Sequence, residues 1–488
     1  MKTYDEKAAE ILQKRDETIK ANGIRKRKIT LIAVIAAVVA LTVCASAVAV
    51  AMSMRNNNAP LNILPVDTGA DEVKKYNDGV IGEKKEAGKG GMYERKDSSG
   101  MYSRSDMVEE AAPSVGGDIY GDPGYLIDGP TNVVDPKAGT LSAGEWKDAA
   151  NLDDWFKLLQ NNAWTNLMTQ RALNTKNVIT VTVKDGESLC YNVTVKLLAG
   201  ENVLFTARTD IEGKAYLFYN IDKNNEQPTD VLIGDKKISL EGKKEIIADI
   251  EGSGIAVTAL DLMFMIDTTG SMGDELEYIK VELYDVVDRI AKAGGNMSIR
   301  VSVNFYRDKG DAYVVKYFDF REDINQCIEQ IKEQTADGGG DTPEAVHTAL
   351  ENAVTGHQWR GDAVKICFFV MDAPPHTGQE IQGIDENILK SVKAAAEQGI
   401  RIIPVASSGV DTETEFLMRS YALLTGGTYV FITNDSHVGG NHKEAEVGEH
   451  TVEYLNECLI RIACEYCGIY TGEKIPYTPT HNQNTEQQ

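Results

Sequence analysis

"DLMFMIDTTGSMGDE", residues 261–275, carries an apolar run that ends in oxygen-bearing side chains. Asp267 closes the run. Thr269 and Ser271 follow in alternation, with Gly270 between them, just ahead of an amphipathic stretch. The run reads as a buried strand followed by a helix. Two readings of the oxygens compete. They are polar caps of an ordinary strand-to-helix turn, or they are the first part of a metal site.

Strand-like and helical runs alternate from here to about residue 468. The strand-like runs are "LDLMFMID", "SIRVSVNFY", "YVVKYFDF", "VKICFFVMD", "IRIIPVASS" and "TYVFIT". Helical periodicity fills most of the gaps; Leu276, Ile279, Leu283, Val286, Val287 and Ile290 share one face. Near-continuous apolar strands joined through helices predict an α/β fold: a Rossmann-like, doubly wound, mostly parallel sheet covered on both faces. The third run follows the second without a helix, which predicts an antiparallel edge. Ligands of such sheets sit at the carboxyl ends of the strands, where Asp267 lies.

Two later segments leave polar groups at the same edge. "GGGDTPEA" presents Thr342 after three glycines, and "ICFFVMDAPPH" ends a strand at Asp372. Each has a plain local reading. Thr342-Pro343-Glu344 is a regular helix start, Ser271 suits a cap, and Asp372 suits a turn. Taken together, Asp267, Thr269, Ser271, Thr342 and Asp372 are two carboxylates and three hydroxyls, a hard oxygen set suited to Mg²⁺ or Mn²⁺, or to Ca²⁺ with looser geometry. Asp274 and Glu275 are expected to complement a helix N-terminus. Asp308 and Asp311 are expected to shape a turn. His376 is read equally as a ligand contact or a loop residue.

These motifs, in this order, make residues 256–468 resemble a von Willebrand factor type A domain. "DTTGS" is similar to that family's D-x-[S/T]-x-S motif, Thr342 to its separate threonine, and Asp372 to the aspartate after the fourth strand. "NFYRDKGD" and "VMDAPPHTG" resemble a subgroup of these domains. The resemblance implies a metal-ion-dependent adhesion site formed by those five residues. In such a site hydroxyls touch the ion and the aspartates act mostly through water. The ion stays electrophilic and takes a carboxylate from a protein or surface-polymer partner. Thr269 stands where serine is common, which keeps the oxygen.

The rest of the chain sets the context. It has 488 residues and a formal net charge of −24, which disfavours nucleic acid. Residues 29–54 carry no charge and exceed the ~20 residues that span a bilayer as helix. Arg25, Lys26, Arg27 and Lys28 precede them. This predicts a transmembrane anchor with a cytoplasmic segment 1–28 and everything after Arg55 outside. A cleaved signal peptide is the rival, disfavoured by the long charged leader. Residues 1–28 carry a balance of +4, which leaves −28 for the remainder.

Residues 55–145 hold six of the thirteen prolines and read as a flexible linker. Residues 146–255 read as a helical segment followed by short β-branched strands. "VKDGESLCYNVTVKLLAGENVLFTARTDIEGKAYLF" resembles the transthyretin-like or carboxypeptidase-regulatory-like β-sandwich, a smaller all-β domain. Residues 469–488 read as a disordered tail. The seven cysteines are too few and scattered for a disulfide framework.

The expected function is therefore a membrane-anchored, extracytoplasmic adhesion or protein-binding module. The alternative is an assembly module working with an AAA ATPase, which would need to face the cytoplasm. An enzyme is disfavoured. An aspartyl nucleophile at Asp267 would need a second acid two residues on, where Thr269 stands.

Overall fold

The computed structural model describes residues 136–478 apart from 223–224, 253–255, 294 and 341. The expected cytoplasmic segment, anchor, most of the linker and the tail from 479 lie outside the described residues. Among the described residues no helix is long and apolar enough to cross a membrane.

The first described strand, β1 (Ser142–Trp146), falls where the sequence predicts the end of a linker. Helices α1 (Leu152–Leu158) and α2 (Asn162–Gln170) follow. Eight strands come next: β2 (Val178–Asp185), β3 (Ser188–Leu189), β4 (Thr194–Ala199), β5 (Asn202–Arg208), β6 (Lys214–Phe218), β7 (Asp230–Ile233), β8 (Lys236–Ser239) and β9 (Glu245–Asp249). They form two four-stranded sheets, one with β2 paired to β3, β6 and β9, the other ordered β5-β4-β7-β8. Strand alternation turns Val181, Val183, Val195, Leu197, Phe205 and Phe218 into one shared apolar core.

The α/β region runs β10 (Ala259–Asp267), α3 (Leu276–Ala293), β11 (Ser298–Tyr306), β12 (Val315–Lys316), α4 (Ile324–Lys332), α5 (Val346–Thr355), β13 (Val364–Met371), α6 (Ile384–Gln398), β14 (Ile400–Ala406), α7 (Thr412–Thr425), β15 (Tyr429–Ile432), β16 (Glu453–Tyr454) and α8 (Leu455–Tyr466). Its sheet is ordered β12-β11-β10-β13-β14-β15-β1-β16. Strands β11, β10, β13, β14 and β15 are mutually parallel. β12 is the antiparallel edge the sequence predicts.

Every residue of β10 is buried. Leu262, Phe264 and Ile266 pack with α3, α4 and α8 on one face. Met263 and Met265 pack with α5, α6 and α7 on the other. Burial on both faces is why the run shows no polar alternation. Helices α6 and α7 stop at Gly399 and Gly426, whose φ of +74° and +67° suit glycine.

β1 is the departure from expectation. It pairs antiparallel with β15, Ala143 opposite Ile432, and also with β16. The α/β sheet thus begins before the small sheets, which stand as an insertion between β1 and β10. The insertion docks at the amino ends of the parallel strands. Tyr191 Oη donates to Ala363 O at 3.0 Å, Asn192 Nδ2 to Gly361 O at 2.9 Å, and Arg208 Nε to Glu397 O at 3.0 Å. Arg401 Nη2 donates to Arg208 O at 2.8 Å.

Candidate functional site

Strand β10 delivers Asp267 to the carboxyl edge with its side chain fully buried. The chain then leaves in extended conformation at Thr269 and enters a short 3-10 turn, Gly270–Asp274. That geometry aims Thr269 back at Asp267. Asp267 Oδ1 accepts hydrogen bonds from Thr269 N at 2.9 Å and Thr269 Oγ1 at 2.7 Å. Thr269 Oγ1 lies 3.1 Å from Ser271 Oγ. Asp372, which follows β13, lies beside Asp267 and Ser271. Asp267, Thr269, Ser271 and Asp372 are therefore one cluster. Asp267, Thr269 and Asp372 are buried, and Ser271 is exposed.

Thr342 is exposed and lies two residues before Glu344. The helix start expected there is displaced. α5 begins at Val346 behind Ala345, with no side-chain cap. Glu344 therefore does not serve a first helical turn. Its backbone N donates to Pro374 O at 3.0 Å, and it forms a parallel bridge with Pro375. Its side chain is 2% exposed and lies near Thr269, a Cβ on Gly339 standing 3.2 Å from Glu344 Oε1 and 3.4 Å from Thr269 Cβ.

Three carboxylate oxygens here are buried without a donor: Asp267 Oδ2, Asp372 Oδ1 and Glu344 Oε2. Buried acceptors of this kind are rare and costly. Burial raises the carboxyl of Asp267 above the ordinary value, and burial with the charge of Asp267 does the same for Asp372. Burial and the neighbouring acids Asp267, Asp308 and Asp372 push Glu344 up to about 9. Tyr306, buried beside them, is raised by burial and then by Asp267. Among the described residues no trio of histidine, cysteine or acidic side chains is close enough to hold a metal by itself. A cation held here would need hydroxyl ligands as well. Orphan carboxylate oxygens beneath exposed hydroxyls are a donor set that fits a hard divalent cation.

Two loops around the cluster are pinned by residues of the "YRD" segment. Asp337 N donates to Thr268 O at 3.1 Å and Gly270 N to Gly338 O at 3.1 Å. Asp311 Oδ2 accepts from Asp308 N at 3.0 Å and from Gly339 N at 2.9 Å. Gly338 and Gly339 have φ of +77° and +66°, and a Cβ on Gly338 would meet the Asp311 carboxylate at 2.5 Å. Arg307 Nη2 donates to Thr335 O at 2.8 Å.

The loop after Asp372 is held from two sides. His376 Nε2 pairs with Asp308 Oδ1 at 2.8 Å. Arg171, which follows α2, donates to Pro375 O and His376 O at 2.8 Å each. Asp311 shapes a turn as expected, Asp308 reaches beyond it, and His376 is a loop anchor. Glu275 is buried and accepts from Ser408 N at 3.1 Å. Glu344, Tyr306 and Arg171 are the residues that sequence reasoning missed.

A doubly wound sheet, "DTTGS" closing its first parallel strand and Asp372 beside it decide the family of this region. Residues 261–438 carry a von Willebrand factor type A domain. Domains of this type commonly bind protein ligands. Among curated proteins, the chain is 34% identical over 120 residues to a putative ariadne-like RING finger protein, R811, of Acanthamoeba polyphaga mimivirus. That match covers 24% of this chain and 11% of the relative. It is 23% identical over 232 residues to the alpha-protein kinase vwkA of Dictyostelium discoideum, covering 43% of this chain and 37% of the relative. The chain thus spans a minor part of either relative's length. A solved structure, the conserved hypothetical protein BatB from Bacteroides thetaiotaomicron, matches 43% of this chain and 99% of its own at 13% identity, with a TM-score of 0.30.

Proposed function

We propose that the type A domain binds a protein or surface polymer through a divalent cation, Mg²⁺ or else Mn²⁺ or Ca²⁺, at a metal-ion-dependent adhesion site. Asp267, Thr269, Ser271, Thr342 and Asp372 would hold the ion, and the partner would supply a carboxylate. The observation that carries this reading is the set of buried, donorless carboxylate oxygens beneath exposed hydroxyls. A bound cation supplies the charge they lack and an electrophilic point for an incoming acid. Thr269 and Ser271 orient Asp267 and Asp372. The pinned glycine loop precedes Thr342 in the chain, which supports its inclusion in the set.

In this reading the protein is a binding module and not an enzyme, with Thr269 where an aspartyl-nucleophile site would need its second acid. The uncharged run 29–54, with basic residues before it, supports single-pass membrane anchoring. The transthyretin-like or carboxypeptidase-regulatory-like resemblance of the inserted sheets supports a spacer role. The amino terminus then lies in the cytoplasm and the type A domain outside.

Titration calorimetry of the purified chain with MgCl₂ tests the site. Asp267→Ala is expected to abolish Mg²⁺ uptake and chelator-sensitive partner capture together. Unchanged Mg²⁺ affinity in that variant would refute the assignment. External protease on intact cells tests the topology. The type A domain is expected to be cleaved, and its survival would place it inside.

A further inference from the structure

We propose that β9 is the contact strand of a two-fold pair of these chains, its free edge joining antiparallel to β9 of a second copy. The contact belongs to the inserted sheets and needs no metal.

Strand pairing fixes which side of β9 is open. β6 pairs with β2 over Val178–Thr182, and β9 pairs with it over Thr180–Lys184. The two ranges overlap, so β6 and β9 flank β2 on opposite sides. β3 meets β2 at Lys184, which β9 also holds, so β3 lies on the β6 side. Among the described residues no strand pairs with the other side of β9.

The direction of the peptide groups fixes what that side offers. Thr180 N donates to Lys244 O at 2.9 Å, so the even-numbered residues of β9 turn their main-chain groups to β2. Glu245, Ile247 and Asp249 turn theirs outward. Asp249 O is met by Lys236 Nζ at 2.9 Å. The main-chain groups of Glu245 and Ile247 meet no partner among the described residues. Free edges are ordinarily guarded by charge, proline or a bulge. Here Ile247 stands at the middle of the strand and is 73% exposed.

Charge selects a second copy as the occupant. Lys243 and Lys244 lead into β9, and Asp249 ends it. An antiparallel copy lays the basic start of each strand along the acidic end of the other, twice over by symmetry. A parallel copy would set lysine beside lysine. Outward residues must also face outward residues. Ile247 opposite Glu245 satisfies this and brings Lys243 opposite Asp249. Ile247 opposite itself would set Glu245 against Asp249, acid on acid. Lys243 and Asp249 now stand 3.6 Å from Glu241 and Lys184 respectively, in exposed pairs weak enough to yield. Each copy brings its own type A domain, so the pair would hold a repetitive partner by avidity.

Light scattering and hydrogen exchange of the full chain in detergent, from about 1 to about 100 µM, test the contact. A dimer is expected at the upper concentration. The amides of Glu245 and Ile247 are expected to exchange about tenfold or more slowly there than at the lower. Those of Ile246 and Ala248, already turned to β2, are expected to stay slow at both. Ile247→Lys changes an exposed side chain and sets a cation into the contact. It is expected to remain monomeric, with fast exchange at residues 245 and 247 throughout.

A wild-type chain that stays monomeric overturns the proposal. So does a dimer whose Glu245 and Ile247 amides exchange at a rate independent of concentration, which would place the contact elsewhere, or a dimer that Ile247→Lys leaves intact. The wild-type concentration series decides the matter without any variant.

Discussion

Lys365 shows what a single buried charge does to this molecule. It is the second residue of β13, is 3% exposed, and sits near Arg208 and Arg401, with Asp261 and Asp362 as its acid neighbours. Burial first, and Arg208 next, push its amine down to about 8 from the ordinary 10.5. Between those two pH values the unfolded chain binds more protons than the folded one. Stability contributed at this position therefore rises with pH across that window and is lowest below about 8. Lys365→Met is expected to flatten that rise, measured as the difference between variant and wild-type urea midpoints from pH 7 to 10.5. An undiminished slope would remove Lys365 as its source.

The same scale shows what was legible at the site. Asp267, Thr269, Ser271 and Asp372 were readable because strand ends and alternation put them on one edge. Glu344 was not. Thr-Pro-Glu is chemically a good helix start, and only the bridge to Pro375 removes it from the helix.

Among the elements, β1 is the one whose attachment can be dissected. Glu282, buried on α3, accepts Gly139 N at 2.8 Å, Thr140 N at 2.8 Å and Leu141 N at 2.9 Å. Three main-chain donors thus hang on one carboxylate. Glu282→Ala is expected to lower unfolding free energy by about 1–3 kcal/mol, since Leu141 N is a buried donor left bare while Gly139 N and Thr140 N are part-exposed and can turn to water. Chemical denaturation of the variant checks this, and a loss under 1 kcal/mol would mean the turn finds other acceptors.

The helical pair α1 and α2 is fixed in another way. Trp155 and Trp164 meet at 5.7 Å between ring centres, and both pack on Phe416 of α7. Arg419 lies over both indoles at 5.0 and 5.4 Å. Trp164→Ala is expected to cost about 3–5 kcal/mol, read from the same denaturation midpoint. The helical periodicity of these residues was visible in sequence. Their partner on α7 was not, because nothing local encodes which helix a tryptophan will meet. β1 was invisible for a similar reason. A short strand rich in small residues, placed after a proline- and glycine-bearing stretch, carries no period of its own.

At the scale of the whole molecule, the sequence boundary at 256 divides a sheet that the structure keeps whole. The alternation of the α/β region was plain because parallel strands buried on both faces read as unbroken apolar runs. The insertion was not plain, because its limits depend on a pairing between distant segments. A fragment of residues 256–468 is expected to associate or precipitate, since it lacks β1 and bares the edge of β15. A fragment of residues 136–478 is expected to be monodisperse and to unfold in one transition. Size-exclusion chromatography and melting of the two decide it, and a well-behaved shorter fragment would show β1 to be dispensable.

That pairing also orders events in time. Ala143 leaves the ribosome long before Ile432, the residue it must lie beside. The earliest strand of the large sheet therefore cannot be seated until β15 has been made, and β16 can join only after it. It waits through the synthesis of two smaller sheets and five parallel strands, and closing so long a loop slows this step of folding.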